Sequence, residues 1–436
     1  MTVASTPHLR RLGLVLTIAS LAAIAYATLL PESGQSLQSH FCLVCGSLGG
    51  VDAILNVLLF VPLGVGLALC GIPTRRALLT MSVLSVLIET AQLLLIPGRD
   101  ATIGDVLTNT LGGAFGFAAS RYTPILLRPS PRLASNLVIA WGAIWLGIQT
   151  ISSFAFVPSI PESQYYGQLA RSLGKLAVFQ GRVLAASVDN IAIPNTAIAN
   201  SREVRRQLLE GATVATRVMP AGPTRGIAPI VRVADSEQSE ILLLAQDGVD
   251  LLFAIHSGAA VLRLRPPVFA LPRVFPTGVV TADVKAADTL GLGGRYLSRE
   301  VKMNAQTGSA TNGNRVPLTA SLAWTLVLPS QWYIEGTRAE VVISLIWIVV
   351  LMVPFGYWTF HLAHPRRAVG FQEHPTPFWI GSLVILGVGL GLAPHVFGLS
   401  PTPLREWLGG VAGLLLGAGL AARLLTNPQP ITDTLG

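Results

Sequence analysis

The chain has 436 residues, of which 51% are apolar and only 12% charged, with a net charge of +8. Soluble domains carry roughly 25% charged residues, and one water-facing surface cannot cover this much apolar side chain, so a soluble globular enzyme is excluded and a membrane protein is indicated. The basic excess would suggest nucleic acid in a soluble chain, but many arginines fall in short loops beside apolar runs; the charge reports membrane topology, and no nucleic-acid partner is expected.

Apolar runs of about 17 to 22 residues, enough to cross roughly 30 Å of hydrocarbon as helix, begin near Leu12, Ala53, Ala77, Ile103, Leu137, Val341, Phe378 and Trp407. About eight helical spans are therefore expected. Arg10 and Arg11 precede the first, Arg75 and Arg76 join the second to the third, and Arg121, Arg128 and Arg132 join the fourth to the fifth. Arg366 and Arg367 join the sixth to the seventh, and Arg423 ends the eighth. Alternate loops are thus basic, which places both termini in the cytoplasm. Ala25-Tyr26-Ala27 also reads as a signal-peptide cleavage site, but the run from Leu12 to Leu30 exceeds an h-region of about 7 to 15 residues, so an uncleaved first span is expected.

Between Pro158 and about Glu335 the pattern shifts to short β-type segments punctuated by Gly, Pro, Asn and Asp, without cysteine. In EILLLAQDGVDLLFAIH, Asp247-Gly248 is expected to turn a hairpin through positive φ angles. GIAPIVRVAD and SLAWTLVLP read as further strands and SREVRRQLLEG as a helix, so a β-sandwich is predicted. The expected organisation is a membrane domain over residues 1–157 with five spans, an extracytoplasmic β-sandwich over 158–335, and a second membrane domain over 336–436 with three spans.

VDAILNVLLFVPLGVGL and the later IETAQLLLIPGRDATIGDVLTNTLGGAFG together resemble the VanZ-like membrane family. The matching positions are Asn56, Phe60, Pro62 and Gly64 on the second span, Glu89 and Gln92 on the third, Arg99 in the turn, and Asp105, Asn109, Gly112 and Gly116 on the fourth, within a core over residues 51–120. The resemblance implies a small helical domain in the bacterial cytoplasmic membrane, tied to cell-envelope processes and, by the family's name, to glycopeptide (teicoplanin-type) resistance. It brings no settled chemistry, catalytic residue or cofactor. The insert is similar to the concanavalin-like or laminin-G-like domain of some VanZ-like proteins, a likeness of strand pattern and not of reactive residues.

The polar residues of the core have a physical logic of their own. Glu89 and Gln92 are i and i+3, and Asp105 and Asn109 are i and i+4, so each pair shares a helix face. At 1.5 Å per residue Glu89 lies roughly 10 Å below the turn that carries Arg99, and Asn56 reaches the same layer. A charge at the bilayer centre costs at least ~2.5–3.5 kcal/mol, so Glu89 needs a partner, water or a proton. Three readings stand: hydrogen bonds that tie helices together, a ligand or substrate site, or a cation site lined by hard oxygens. Gly112 and Gly116 let another helix approach closely.

Cys42 and Cys45 precede the second span, where a disulfide, free thiols or, with His40, an incomplete metal set are each compatible with the spacing; no metal site is expected. His361, His364 and His374 flank a basic loop and read as surface residues. Val61-Pro62-Leu63-Gly64 is echoed by Val353-Pro354-Phe355-Gly356, and DVLTNTLGGAFG by EWLGGVAGLLLG, which places Gly413 and Gly417 opposite Gly112 and Gly116. Two parallel four-helix repeats would explain both echoes. The second copy lacks counterparts of Asn56, Glu89 and Asn109.

No phosphate loop, HExxH motif or nucleophile elbow is present. The favoured expectation is an envelope protein that contacts membrane lipid and whose outer domain recognises a glycan or lipid-linked wall component. The alternatives are an enzyme on such a substrate, with Glu89 or Asp105 as general acid or base, and a transporter or scaffold.

Overall fold

The computed structural model describes residues 7–30, 43–96, 101–174, 176–276, 289–364 and 376–426. The chain divides into two compact units, Met1–Ser130 and Pro131–Gly436. The first contains α1 (Pro7–Leu29), α2 (Gly49–Leu69), α3 (Thr74–Leu95), α4 (Ile103–Arg121) and the short α5 (Thr123–Leu127). Long Leu, Val and Ala runs form these helices because hydrocarbon leaves a backbone no other place to bond. The α2 helix ends where Gly71 takes φ +76°; its N–H donates to Ala68 O at 3.0 Å and that of Ile72 to Leu67 O at 3.2 Å. That pattern is a Schellman stop, and Pro73 then opens α3.

The core of this unit is Ile24, Phe60, Leu63, Met81, Ile88 and Phe117, but its closest helix contact is made by glycine. A Cβ on Gly64 would sit 1.9 Å from Gly113 O, one on Gly112 2.2 Å from Val57 O, and one on Gly116 2.0 Å from Val61 O. The α2 and α4 backbones therefore touch, and any side chain at these places would separate them.

The second unit starts with α6 (Pro131–Ala155) and continues into the β-region. One six-stranded sheet runs in the order β1 (Tyr166–Leu169), β5 (Ile227–Ala234), β6 (Glu240–Asp247), β7 (Asp250–Ile255), β8 (Val268–Leu271), β12 (Tyr333–Ile334). The other runs β11 (Ala310–Pro317), β10 (Glu300–Thr307), β9 (Leu290–Tyr296), β4 (Thr213–Pro220), β2 (Gly181–Val188), β3 (Ile191–Ala192). All pairings are antiparallel except β8 with β12. The region is β-sandwich-like, with Phe269 and Tyr296 edge-to-face at 5.8 Å and Tyr296 donating to Phe156 O at 2.7 Å. Helix α7 (Ser201–Glu210) forms where SREVRRQLLE predicts it, and α8 (Gly258–Val261) follows β7.

Two local expectations need correction. The β6–β7 hairpin pairs Asp247 with Asp250, so Gly248 and Val249 are its central residues, and of these only Gly248 has positive φ, at +60°. SLAWTLVLP is not a strand: Ala320–Val327 is a 3-10 helix, buried almost throughout. It packs on helices instead of pairing in a sheet, with the Trp324 indole donating to Ser344 Oγ at 3.1 Å.

The chain then enters α9 (Arg338–Ala363), α10 (Thr376–Gly387), a π-helical turn (Val388–Leu392), α11 (Ala393–Val396) and α12 (Leu404–Thr426). The fifth span, α6, packs in this unit: Trp141 donates to Leu351 O at 2.7 Å, and Trp145 shares a core with Ile348, Met352, Phe355 and Leu386. The division between compact units falls between Ser130 and Pro131. His361 is buried beside Tyr357, not on the surface, with ring centroids 5.1 Å apart.

Among the described residues seven helices are long and apolar enough to cross a membrane: α1, α2, α3, α6, α9, Phe378–Val396 and Leu404–Leu425. The remaining expected span, α4, forms as a helix but carries Asp105, Asn109 and Gly104, Gly112, Gly113 and Gly116, which lower its hydropathy.

Candidate functional site

The first unit gathers its polar side chains around the start of α4. Thr102 is the N-cap, extended at φ −134° and ψ 150°, and its hydroxyl accepts from Asp105 N at 3.0 Å. This is the ordinary way a helix satisfies a first-turn donor. The same hydroxyl lies 2.8 Å from Asp105 Oδ2, and Thr102 N donates to Glu89 Oε2 at 2.9 Å. A single threonine therefore joins the carboxylates of α3 and α4. From α2, Asn56 Nδ2 donates to Asp105 Oδ1 at 2.7 Å.

One turn further along α4, Asn109 Nδ2 donates to Ser85 Oγ on α3 at 3.0 Å. Asn109 is 2% exposed, and its Oδ1 has no hydrogen-bond partner among the described residues. Gln92 faces α1, where its amide donates to Thr28 O at 3.0 Å. Glu89 and Gln92 are buried, whereas Asn56 and Asp105 are half-buried.

Asn56, Glu89 and Asp105 thus belong to one network with Thr102, Asn109 and Ser85 form a separate pair one turn further along α4, and Gln92 ties α3 to α1. Arg99 lies outside the described residues. Cys45 is disulfide-bonded and Cys70 is free; Cys42 lies outside the described residues. Among the described residues no group of three His, Cys, Asp or Glu side chains could hold a metal.

Ser85 and Thr102 are hydrogen-bond partners of these residues that do not stand out in the sequence. Both nonetheless leave a signal. Ser85, Glu89 and Gln92 form an i, i+4, i+7 stripe on α3, and Thr102 followed three residues later by Asp105 is a cap signature. Pro62 lies inside α2 next to the glycine crossing, and Gly64, Gly112 and Gly116 form that crossing.

Residues 10–127 match the VanZ/LLP1 family model. The first unit is VanZ-like. The match runs from Arg10 of α1 through α4 and includes Asn56, Ser85, Glu89, Gln92, Thr102, Asp105 and Asn109. No curated protein and no solved structure matches the chain.

Chemically, the VanZ-like network is rich in acceptors. Two carboxylates lie at the start of α4 and an amide carbonyl one turn further along it, each positioned by a different helix or by the cap of α4. Such a set suits a ligand that offers hydrogen-bond donors, such as sugar hydroxyls or an ammonium group.

Proposed function

We propose that this is a cell-envelope membrane protein whose VanZ-like unit holds the donor-rich polar part of a lipid-linked envelope component, while its β-domain recognises a glycan or lipid-linked wall component. The observation that carries the proposal is the convergence of Glu89 and Asp105 on Thr102, together with the unpartnered Oδ1 of buried Asn109 one turn further along α4. Burying acceptors without donors costs free energy, and a hydroxylated or aminated ligand would recover it. The two six-stranded sheets support the second half by supplying a β-sandwich-like frame of the kind recognition modules use. A contribution to glycopeptide resistance is part of the same proposal. The alternating arginine loops support a bacterial cytoplasmic-membrane location, with cytoplasmic termini and an extracytoplasmic β-domain. A reporter active only in the cytoplasm, fused after Gly308, should be silent.

A second reading is favoured by one specific observation: Asn56, Gln92 and Asn109 each donate to a different helix, as polar residues that merely tie a bundle together do. Glu89→Gln and Asp105→Asn separate the two. A functional site predicts normal insertion and normal thermal stability in detergent, with loss of the envelope-stress or glycopeptide phenotype. A scaffold predicts an unaltered phenotype and Glu89→Gln silent or stabilising, because an amide is cheaper to bury than a carboxylate. Unaltered phenotype in both variants would overturn the site.

A further inference from the structure

A cavity of about 240 Å3 lies in the second unit, where the β9–β10 hairpin meets the ends of two candidate spans. It is lined by Arg299 from the hairpin, Gly391 from the π-helical turn, His395 from α11, Ser400 and Thr402 from the following loop, and Trp407 from α12. The hairpin is fastened there: Arg299 O accepts from Ser400 Oγ and from Leu318 N, the latter at 2.8 Å, and Ser400 N donates to Leu318 O at 3.1 Å. Thr402 Oγ1 in turn bonds Leu390 O within the π turn, a helical irregularity that recurs at functional sites. A Cβ on Gly391 would meet the Trp407 ring at 3.5 Å, so the indole forms a close wall.

Charge and depth identify the occupant. Among the described residues neither the Arg299 guanidinium nor the His395 imidazole makes a hydrogen bond or ion pair, and no carboxylate lines the cavity. Guanidinium presents a fork of donors that matches phosphate oxygens, and an imidazole N–H adds another donor. One candidate span ends at Val396 and the next begins at Leu404, so the cavity lies at head-group level, where tryptophan is also favoured. Beside it Leu392, Val396 and Leu404 are exposed, as chain-contacting side chains at a bilayer boundary would be.

We propose that this cavity is a head-group site for an anionic phospholipid, whose phosphate bonds Arg299 and His395 while its acyl chains lie against Leu392, Val396 and Leu404. A zwitterionic lipid is disfavoured because no carboxylate is present for its ammonium group. The site uses no residue of the Glu89–Asp105 network and stands whether or not the function proposed for that network holds.

The test uses the full chain in nanodiscs of equal parts phosphatidylglycerol and phosphatidylcholine, with native mass spectrometry counting retained lipid. Phosphatidylglycerol should be enriched, and the Arg299→Gln/His395→Gln double variant should lose that preference by about fivefold or more. Both residues are exposed, so the double variant should melt as the parent does in detergent without added lipid. Arg202→Gln, an exposed position on α7, should leave the preference unchanged. Equal retention of the two lipids, or a preference that survives the double substitution, would overturn the proposal. Thermal protection of the detergent-solubilised protein by inorganic phosphate alone, equal to that by phosphatidylglycerol, would identify free phosphate as the occupant and overturn the lipid assignment.

Discussion

The α2–α4 pair of the first unit and the α9–α12 pair of the second are built on the same contacts. In the first, a Cβ on Gly64 would meet Gly113 O, one on Gly112 Val57 O and one on Gly116 Val61 O; in the second, a Cβ on Gly356 would lie 2.1 Å from Leu414 O, one on Gly413 2.6 Å from Val349 O and one on Gly417 2.1 Å from Val353 O. Val57, Val61 and Gly64 correspond in order and spacing to Val349, Val353 and Gly356, as Gly112 and Gly116 do to Gly413 and Gly417. The acid at the third position of the last helix is also shared, but its partners are not. Asp105 is held by Asn56 of α2, whereas Glu406 accepts from Ser321 at 2.8 Å, in the 3-10 segment that follows the β-strands. Close helix packing is common to both pairs, while the polar surroundings differ.

If that comparison is right, the largest losses come from the shared glycines. Gly64→Leu, Gly112→Leu, Gly356→Leu and Gly417→Leu should each remove most folded protein, at or beyond the ~3 kcal/mol upper range of overpacking. Each new side chain would begin within about 2 Å of a carbonyl oxygen of the facing helix, and a backbone cannot rotate away as a rotamer can. Yield of monodisperse protein in detergent measures the effect. Tolerance at Gly356 and Gly417 alone would mean that the second pair only resembles the first.

Two buried glutamines should sharpen the contrast with opposite signs. Gln92 donates to Thr28 O, so Gln92→Leu should lower stability by about 1 kcal/mol. Gln149 on α6 is 1% exposed, and neither its Oε1 nor its Nε2 has a partner among the described residues. Replacing such an orphan by a similar apolar volume is neutral or favourable, so Gln149→Leu should raise the melting temperature. A drop there would reveal ordered water bonding that amide.

These signs explain what could be read from the sequence and what could not. Span positions, the VanZ-like polar spacing and the glycine echoes follow from hydropathy and residue identity, and they survive in the structure. Partners do not follow from spacing: Glu89 is expected to need a partner, water or a proton, and nothing in the spacing singles out Thr102 N as its donor. SLAWTLV has strand composition, but tertiary packing overrides that propensity where a segment meets helices and no open sheet edge. The placement of α6 was equally hidden, because loop basicity reports which side a loop faces and says nothing of which helices a span touches.

The helix caps come next in size. Thr102 caps α4 through Asp105 N, and Thr337 caps α9 in a full capping box, in which Glu340 accepts from Thr337 N at 3.0 Å. Thr102→Ala and Thr337→Ala should each cost about 1 kcal/mol. Only Thr102→Ala should also disturb the proposed site, because its hydroxyl touches Asp105. A phenotype from Thr337→Ala at unchanged protein level would break that distinction.

The smallest expected effect lies in the β-region, which has no counterpart among the described residues of the first unit. Burial pushes the Tyr165 phenol up to about 12; Arg205 opposes the shift, and Asp235 and Glu162 add to it. Its hydroxyl donates to Pro161 O, a bond that tyrosinate cannot make. Because the folded protein holds this proton more tightly than the unfolded chain, the contribution is fully present below about pH 10 and is lost as pH rises through about 12. Between those limits the parent should therefore lose stability relative to Tyr165→Phe, by no more than about 1 kcal/mol once solvent screening is allowed for. Thermal melts of both proteins at pH 8 and at about pH 11.5, with tyrosinate absorbance followed in parallel, measure the difference. Identical pH dependence in the two proteins would mean that Tyr165 ionises without leaving the fold, and that the Pro161 bond contributes nothing there.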